Sequence, residues 1–311
     1  MATTAASHSN FLFEIDEDRL GAELGRAVPP LRVFNLRSLG INQERFLRDM
    51  SIAFCGLHLD PYDGKRGKVK FLEEHFPNEG KRLRNFLAGY YADTTDLREL
   101  SDLLGRLTSE DRNEFDRIGM TGRRKRAIAR FMLANRGPTT PWNIVRVPAG
   151  PFTQQVGDAR ALVRTFHEAG REIASHPDVE RIIFALAEMV QELQSEAHFL
   201  QIQIHPMFVF ADLMNSGDNS PEGIHQDGED YIVSALVIER AGITEGSGES
   251  TVYALDKETV LLRRVLQPGE GIFQADRNKL WHYVTPVRED PRVAPDFGHR
   301  SILGFDIRIL N

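Results

Sequence analysis

The chain has 311 residues, 41% hydrophobic and 27% charged, with a formal net charge of −7. This is the balance of a globular protein that buries one large core, or one core with a helical flank. The acidic surplus excludes a general nucleic-acid-coating role, because phosphate binding requires a positive field.

Residues 1–30 read as a loosely held leader ending at Pro29-Pro30. The first ten residues are small and polar and lack the charged start and apolar stretch of a secretory signal. The pattern from Asn42 to Asn135 is helical. Within it Cys55 is the single cysteine, so no intrachain disulfide or cysteine-rich zinc site can form. Its apolar neighbours Ile52, Ala53 and Phe54 predict a buried structural thiol. Leu97, Leu100, Leu103, Leu104 and Leu107 follow helix-face spacing, and Thr108-Ser109-Glu110-Asp111 is a helix-start signal. The basic run Arg123-Arg124-Lys125-Arg126 falls on a predicted helix between Thr121 and Asn135 and reads as its solvated face. Pro138 and Pro141 then break the chain. Asn143–Val147 is a first predicted strand, followed by helices over 158–175 and 178–198. The second carries Val179, Ile182, Ile183, Leu186, Met189, Val190 and Leu193 on one face, with Pro177 suited to its first position. His198 and His205 read as polar groups at helix ends.

After His205-Pro206 the period changes. Residues 207–213, 231–238, 250–255, 260–266, 271–274, 281–287 and 301–310 read as short strands separated by Gly, Pro, Asn and Asp clusters. The expected class is α+β: a double-stranded β-helix (a cupin-like jelly roll) with helices packed on one sheet and a helical N-terminal half. The expected organisation is a leader over 1–30, a helical cap over 31–140 and a jelly-roll core over 141–311. No apolar run is long enough to span a bilayer. Together with the N-terminus this predicts a cytoplasmic protein.

The chemistry-bearing residues cluster in this second half. His225 and Asp227 flank Gln226 in a Pro/Gly-rich loop that runs into an apolar strand. Residues two apart in extended backbone face the same side, so both can reach one ion. His282, in Leu280-Trp281-His282-Tyr283-Val284-Thr285, supplies a third donor. Two imidazoles and one carboxylate hold non-haem Fe(II) on one face and leave positions open. Those positions could take a bidentate 2-oxo acid, with a buried arginine forked onto its far carboxylate. Arg300 opens a long apolar strand and is the arginine assigned that role, whereas Arg288 and Arg292 lie in a loop and look solvated. His299 and Arg300, being adjacent, must face opposite sides, and Trp281 is expected to point away from the metal into the core. Candidate substrate contacts are Glu222 and Asp230 for an ammonium group, Asn143 and Gln155 for a carboxylate or amide, and Asp276 for either.

From about Asn143 onward the chain resembles the bacterial 2-oxoglutarate/Fe(II) dioxygenases that hydroxylate free amino acids, of the L-isoleucine 4-hydroxylase type. The resemblance rests on Pro221–Gly228, Gly248-Glu249-Ser250 with Val252-Tyr253, Trp281–Pro286 and Gly298-His299-Arg300. Phe152 with Gln154 or Gln155, and Arg164 with Phe166, resemble the opening of the same domain. The resemblance implies Fe(II) on His225, Asp227 and His282, with 2-oxoglutarate and O2 as co-substrates. Arg300, with the Ser301 hydroxyl near it, would bind the 2-oxoglutarate 5-carboxylate. It also implies hydroxylation of an unactivated C–H bond with release of succinate and CO2. Related halogenating enzymes replace the carboxylate ligand with a small residue; the presence of Asp227 therefore implies hydroxylation. The implied partner is a small amino acid, with neither nucleic acid nor membrane involved and a homodimer allowed but not required. An oxygenase of a peptide or carrier-bound residue, and a non-catalytic cupin-like binding protein, are the alternatives.

Overall fold

The computed structural model describes residue 21 and residues 27–118, 122–137, 140–154, 162–293 and 297–311. The 1–30 leader thus lies almost entirely outside the described residues. The N-terminal half contributes strand β1 (Leu31–Asn35), helix α1 (Gln43–Phe54), strand β2 (His58–Leu59) and helices α2 (Pro61–His75), α3 (Gly80–Tyr91), α4 (Ser101–Leu104) and α5 (Ser109–Arg117). Strands β3 (Arg124–Arg126), β4 (Ala129–Ala134) and β5 (Asn143–Val147) follow, then helices α6 (Arg171–Ala174) and α7 (Pro177–Leu193). The remainder is strands: β6 (Phe199–Ala211), β7 (Tyr231–Ala241), β8 (Ser250–Tyr253), β9 (Val260–Arg264), β10 (Glu270–Ala275), β11 (Trp281–Val284) and β12 (Gly298–Ile309).

These strands form a mixed α/β architecture dominated by one large antiparallel sheet. Its order is β1-β10-β7-β12-β6-β3-β2, with β4 also on β6 and β5 on β4; a three-stranded sheet, β11-β8-β9, stands apart from it. The two long strands at the centre show how the sheet divides its labour. On β12, Leu303, Phe305 and Ile307 enter the core under the helices, while Arg300, Ile302, Gly304 and Asp306 line a cavity on the other face. On β6, Leu200, Ile202 and Ile204 face the helices and His205 and Met207 face the cavity. This is the two-residue period of a pleated strand between two different surroundings.

The apolar stripe of α7 is buried as its spacing predicts. Val179, Ile182, Ile183, Leu186, Met189 and Val190 pack with Phe46, Met50 and Phe54 of α1 against β6, β7 and β12. Each such side chain contributes roughly 1.5–3 kcal/mol by leaving water. Pro177 occupies the first turn, as expected. A second core joins α2 to α5 with Phe152 and Phe166 and reaches the cavity wall through Tyr62 and Tyr91.

Five expectations from sequence are corrected. The predicted helix over 121–135 is instead β3 and β4, whose burial alternates residue by residue. The free edge of β6 supplies a hydrogen-bond ladder to both strands, and it outweighs their local helical preference. Of the helix expected over 158–175, residues 155–161 lie outside the described residues and only Arg171–Ala174 is helical. The segment between is extended, held by backbone bridges from Phe152 to Arg164 and from Ile128 to Glu168. Cys55 is exposed, since α1 ends there and its buried face is carried by Phe46, Met50 and Phe54. His205 lies buried in the middle of β6, not at a helix end. Trp281 is only half-buried and donates its indole N–H to Leu255 O (3.2 Å). Among the described residues, no helix is long and apolar enough to cross a membrane.

Candidate active site

The loop before β7 is folded by its own glycines and by one carboxylate. Gly223 and Gly228 adopt φ of 77° and 89°, the left-handed region open to glycine, and bracket His225-Gln226-Asp227. The buried Asp276 carboxylate then accepts three consecutive backbone N–H groups: Asp227 N (3.2 Å), Gly228 N (2.6 Å) and Glu229 N (3.0 Å). The Gln226 amide donates to Asp276 O and Leu280 O, both at 3.0 Å, tying the loop to the turn that leads into β11. His225 and His282 complete the alignment with a reciprocal backbone pair, His225 N to His282 O (3.0 Å) and His282 N to His225 O (2.9 Å). Asp276 is therefore a scaffold residue, not a substrate contact.

The side chains of His225, Asp227 and His282 converge so that one donor atom of each lies within 4.8 Å of the others. His225 Nε2 is 3.6 Å from Asp227 Oδ1, and His282 Nε2 is 3.6 Å from Asp227 Oδ2. Ligand bonds of ~2.1 Å to a divalent ion place two donor atoms at such separations. The His225 tautomer is also set. Nδ1–H donates to Gly223 O (2.8 Å), which leaves the Nε2 lone pair directed at the other two groups. Gln154 steadies the carboxylate by donating to Asp227 Oδ1 (2.6 Å) and accepts in turn from Arg164 Nη2 (2.9 Å).

These residues open into one cavity. Arg300 forms one end, fully buried. Its Nη1 donates to Asn219 Oδ1 (3.2 Å), whereas Nε and Nη2 have no hydrogen-bond partner among the described residues. Burial, with Arg240 alongside, pushes its pKa down to about 9. A guanidinium so placed is short of an anion. Gly248, at φ 67°, fits against it: a Cβ there would stand 2.5 Å from Arg300 Cδ. Glu222 also lines the cavity, with Oε1 3.6 Å from His225 Nε2 and Oε2 3.5 Å from Arg66 Nη1.

Of the residues singled out from sequence, the cavity thus gathers His225, Asp227, His282, Arg300 and Glu222. Ser301 does not join them; its neighbour Arg300 points inward, so strand alternation turns Ser301 to the opposite face. Asn143 is exposed on β5, at the far side of β4 from β6. Asp230 is used by the backbone, accepting from Ile309 N (2.8 Å). Gln155 lies outside the described residues. His299 faces away from Arg300, as expected, and stacks on Phe208.

Sequence reasoning missed Arg124, Arg126, His205 and Asp306, which line the cavity from the same sheet face as Arg300. The basic run read as a helix face in fact alternates, with Arg124 and Arg126 turned inward and Lys125 between them half-buried. The strand period of Arg124 and Arg126 was the available signal.

The sequence model of the 2OG-Fe dioxygenases matches residues 109–306, well over half of the chain. The chain belongs to the 2OG-Fe dioxygenase family. Enzymes of this family use Fe(II), 2-oxoglutarate and O2. Its fold is similar to that of a bsmA homologue from Methylobium petroleophilum PM1 (18% identity, 96% of this chain and 95% of that one, TM-score 0.62). It is also similar to that of IDO from Bacillus thuringiensis (12% identity, 100% and 99%, TM-score 0.56). No curated protein gives a significant sequence match.

Proposed function

We propose that this 2OG-Fe dioxygenase hydroxylates an unactivated C–H bond of a free amino acid or close derivative. His225, Asp227 and His282 would hold Fe(II), and Arg300 would bind the far carboxylate of 2-oxoglutarate. Arg300 is the observation that carries this reading. Its two unpartnered N–H groups are buried at the end of a cavity whose wall also holds the two histidines and the aspartate. A bidentate carboxylate supplies the missing acceptors and charge. When bound, the iron and its co-substrates supply the oxidising power that replaces hydrogen by hydroxyl while 2-oxoglutarate becomes succinate and CO2.

The chain's own part is geometric. The three donors stand on two segments locked by the reciprocal His225–His282 backbone pair and by Asp276. Gln154 and the Gly223 carbonyl orient Asp227 and His225. Val233, Val284 and Ile302 keep part of the wall apolar, and Glu222, which also lines it, would receive the substrate's ammonium group. We infer that the two sheets, with these residues between them, form the expected double-stranded β-helix.

The test incubates purified protein with Fe(II), ascorbate, 2-oxoglutarate and a panel of free amino acids, and follows succinate and products by mass spectrometry. One amino acid gaining a single oxygen with matching succinate is the expected result. Succinate that no amino acid stimulates, with none oxidised, refutes the substrate class.

A further inference from the structure

The cavity wall carries a second cationic cluster that the roles above leave unused. On the inward row of β12, Arg300 and Asp306 are six residues apart, roughly 20 Å of strand. Around Asp306 stand His205, Arg126 and Arg164, all lining the same cavity. Arg126 is only 9% exposed. Its Nη2 donates to His205 Nδ1 (3.0 Å). Arginine cannot accept, so His205 must carry its proton on Nε2 and donate it to Asp306 Oδ2 (2.9 Å). Burial, reinforced by Arg126, pushes His205 down to about 3, so at neutral pH this partner is an uncharged imidazole.

The acidic groups that act on Arg126, Asp60 and Asp306, are each engaged by other partners. Its Nε has no hydrogen-bond partner among the described residues, and its planar group lies 4.1 Å from the Phe166 ring centroid. Asp60 is engaged by Arg124 (Nη2 at 3.0 Å, Nε at 3.2 Å) and by Tyr62 N (2.9 Å), while Asp306 accepts from His205 and is pushed by burial well above the usual carboxylate range. Asp63 is shared with the same Arg124. Burial pushes Arg126 down to about 10. Arg164 adds a second positive charge on this wall and reaches Asp227 through Gln154.

We propose that Arg126, with Arg164 beside it, seats the carboxylate of the substrate. The cavity would then hold two anions, the far carboxylate of the co-substrate at Arg300 and an amino acid's carboxylate at Arg126. The inference deepens the proposed function and rests on it for the identity of the substrate. Only a free acid fits this cluster: an amide or ester removes the charge that Arg126 lacks, and a peptide-linked residue removes the carboxylate altogether.

The experiment is anaerobic calorimetry on the Fe(II)- and 2-oxoglutarate-loaded protein. The probes are the standard L-amino acids and 4-methylpentanoate, each binder being compared with its carboxamide. The acid is expected to bind on the order of 10–100-fold more tightly than the carboxamide. In Arg126→Gln the two should bind alike, and Arg126→Lys should restore part of the difference. Thermal unfolding of each variant verifies its fold, and the wild-type acid/carboxamide ratio needs no variant. Equal affinities in the wild type, no binding of any carboxylate, or discrimination surviving in Arg126→Gln each overturn the proposal. An acid that binds through Arg126 and is never oxidised would leave this assignment standing and remove the hydroxylase reading.

Discussion

Replacing Arg300 by Gln separates a ligand anchor from a structural cation. Arg300 is fully buried with one neutral partner, Asn219, and its Nε and Nη2 have no acceptor among the described residues. A buried charge in that state costs free energy, so its removal should leave the ligand-free protein as stable as the wild type or more so. With 2-oxoglutarate bound, the same two N–H groups would make charge-assisted bonds of ~1.5–3 kcal/mol each. Their loss should raise the Kd for 2-oxoglutarate by roughly 10²–10⁴-fold at 1.4 kcal/mol per decade. Anaerobic calorimetry on the Fe(II)-loaded proteins reads the affinity, and urea unfolding without ligand reads the stability. The wild type should gain about 2.7 kcal/mol at 100 times its Kd, and Arg300→Gln almost none at that concentration. A variant that loses more than about 3 kcal/mol without ligand yet binds 2-oxoglutarate normally would show that Arg300 braces the fold, and the anchor assignment would fall.

Other substitutions address the metal, its support and the core. His225→Ala and Asp227→Ala should abolish succinate and product formation while unfolding at wild-type urea concentrations; full activity in either would mean the site is elsewhere. Gln154→Leu removes the donor to Asp227 Oδ1 and should weaken Fe(II) affinity by roughly 10–100-fold in chelator competition. Leu186→Ala, in the main core, should cost about 2–5 kcal/mol in urea unfolding. His205 provides a pH test. Its folded-state pKa is pushed from 6.5 to about 3, so between these values the unfolded chain binds the extra proton and stability falls as pH drops. The loss should approach ~1.4 kcal/mol per pH unit below 6.5, and His205→Gln should lack that contribution when unfolding is compared at pH 7 and pH 5. Equal slopes in variant and wild type would show that His205 does not set the acid limit.

The chain by itself determined whatever depends on local period and short spacing. The α7 stripe, the strand pattern after residue 206 and the pairing of His225 with Asp227 on one side of an extended loop follow from elementary backbone geometry. So does the opposition of Arg300 and His299. Only the tertiary structure decided what partners decide. Arg123–Asn135 has a charge pattern that suits a helix, and it became two strands because β6 offered an open edge. Asp276 was one acidic turn residue among several until folding set it beneath three N–H groups of a loop some fifty residues away. Cys55 sits in an apolar sequence but just past the last turn of α1, where it is exposed. The burial of Arg126 was hidden for the same reason: local sequence records that it is charged, and only packing against His205 and Phe166 withdraws it from water.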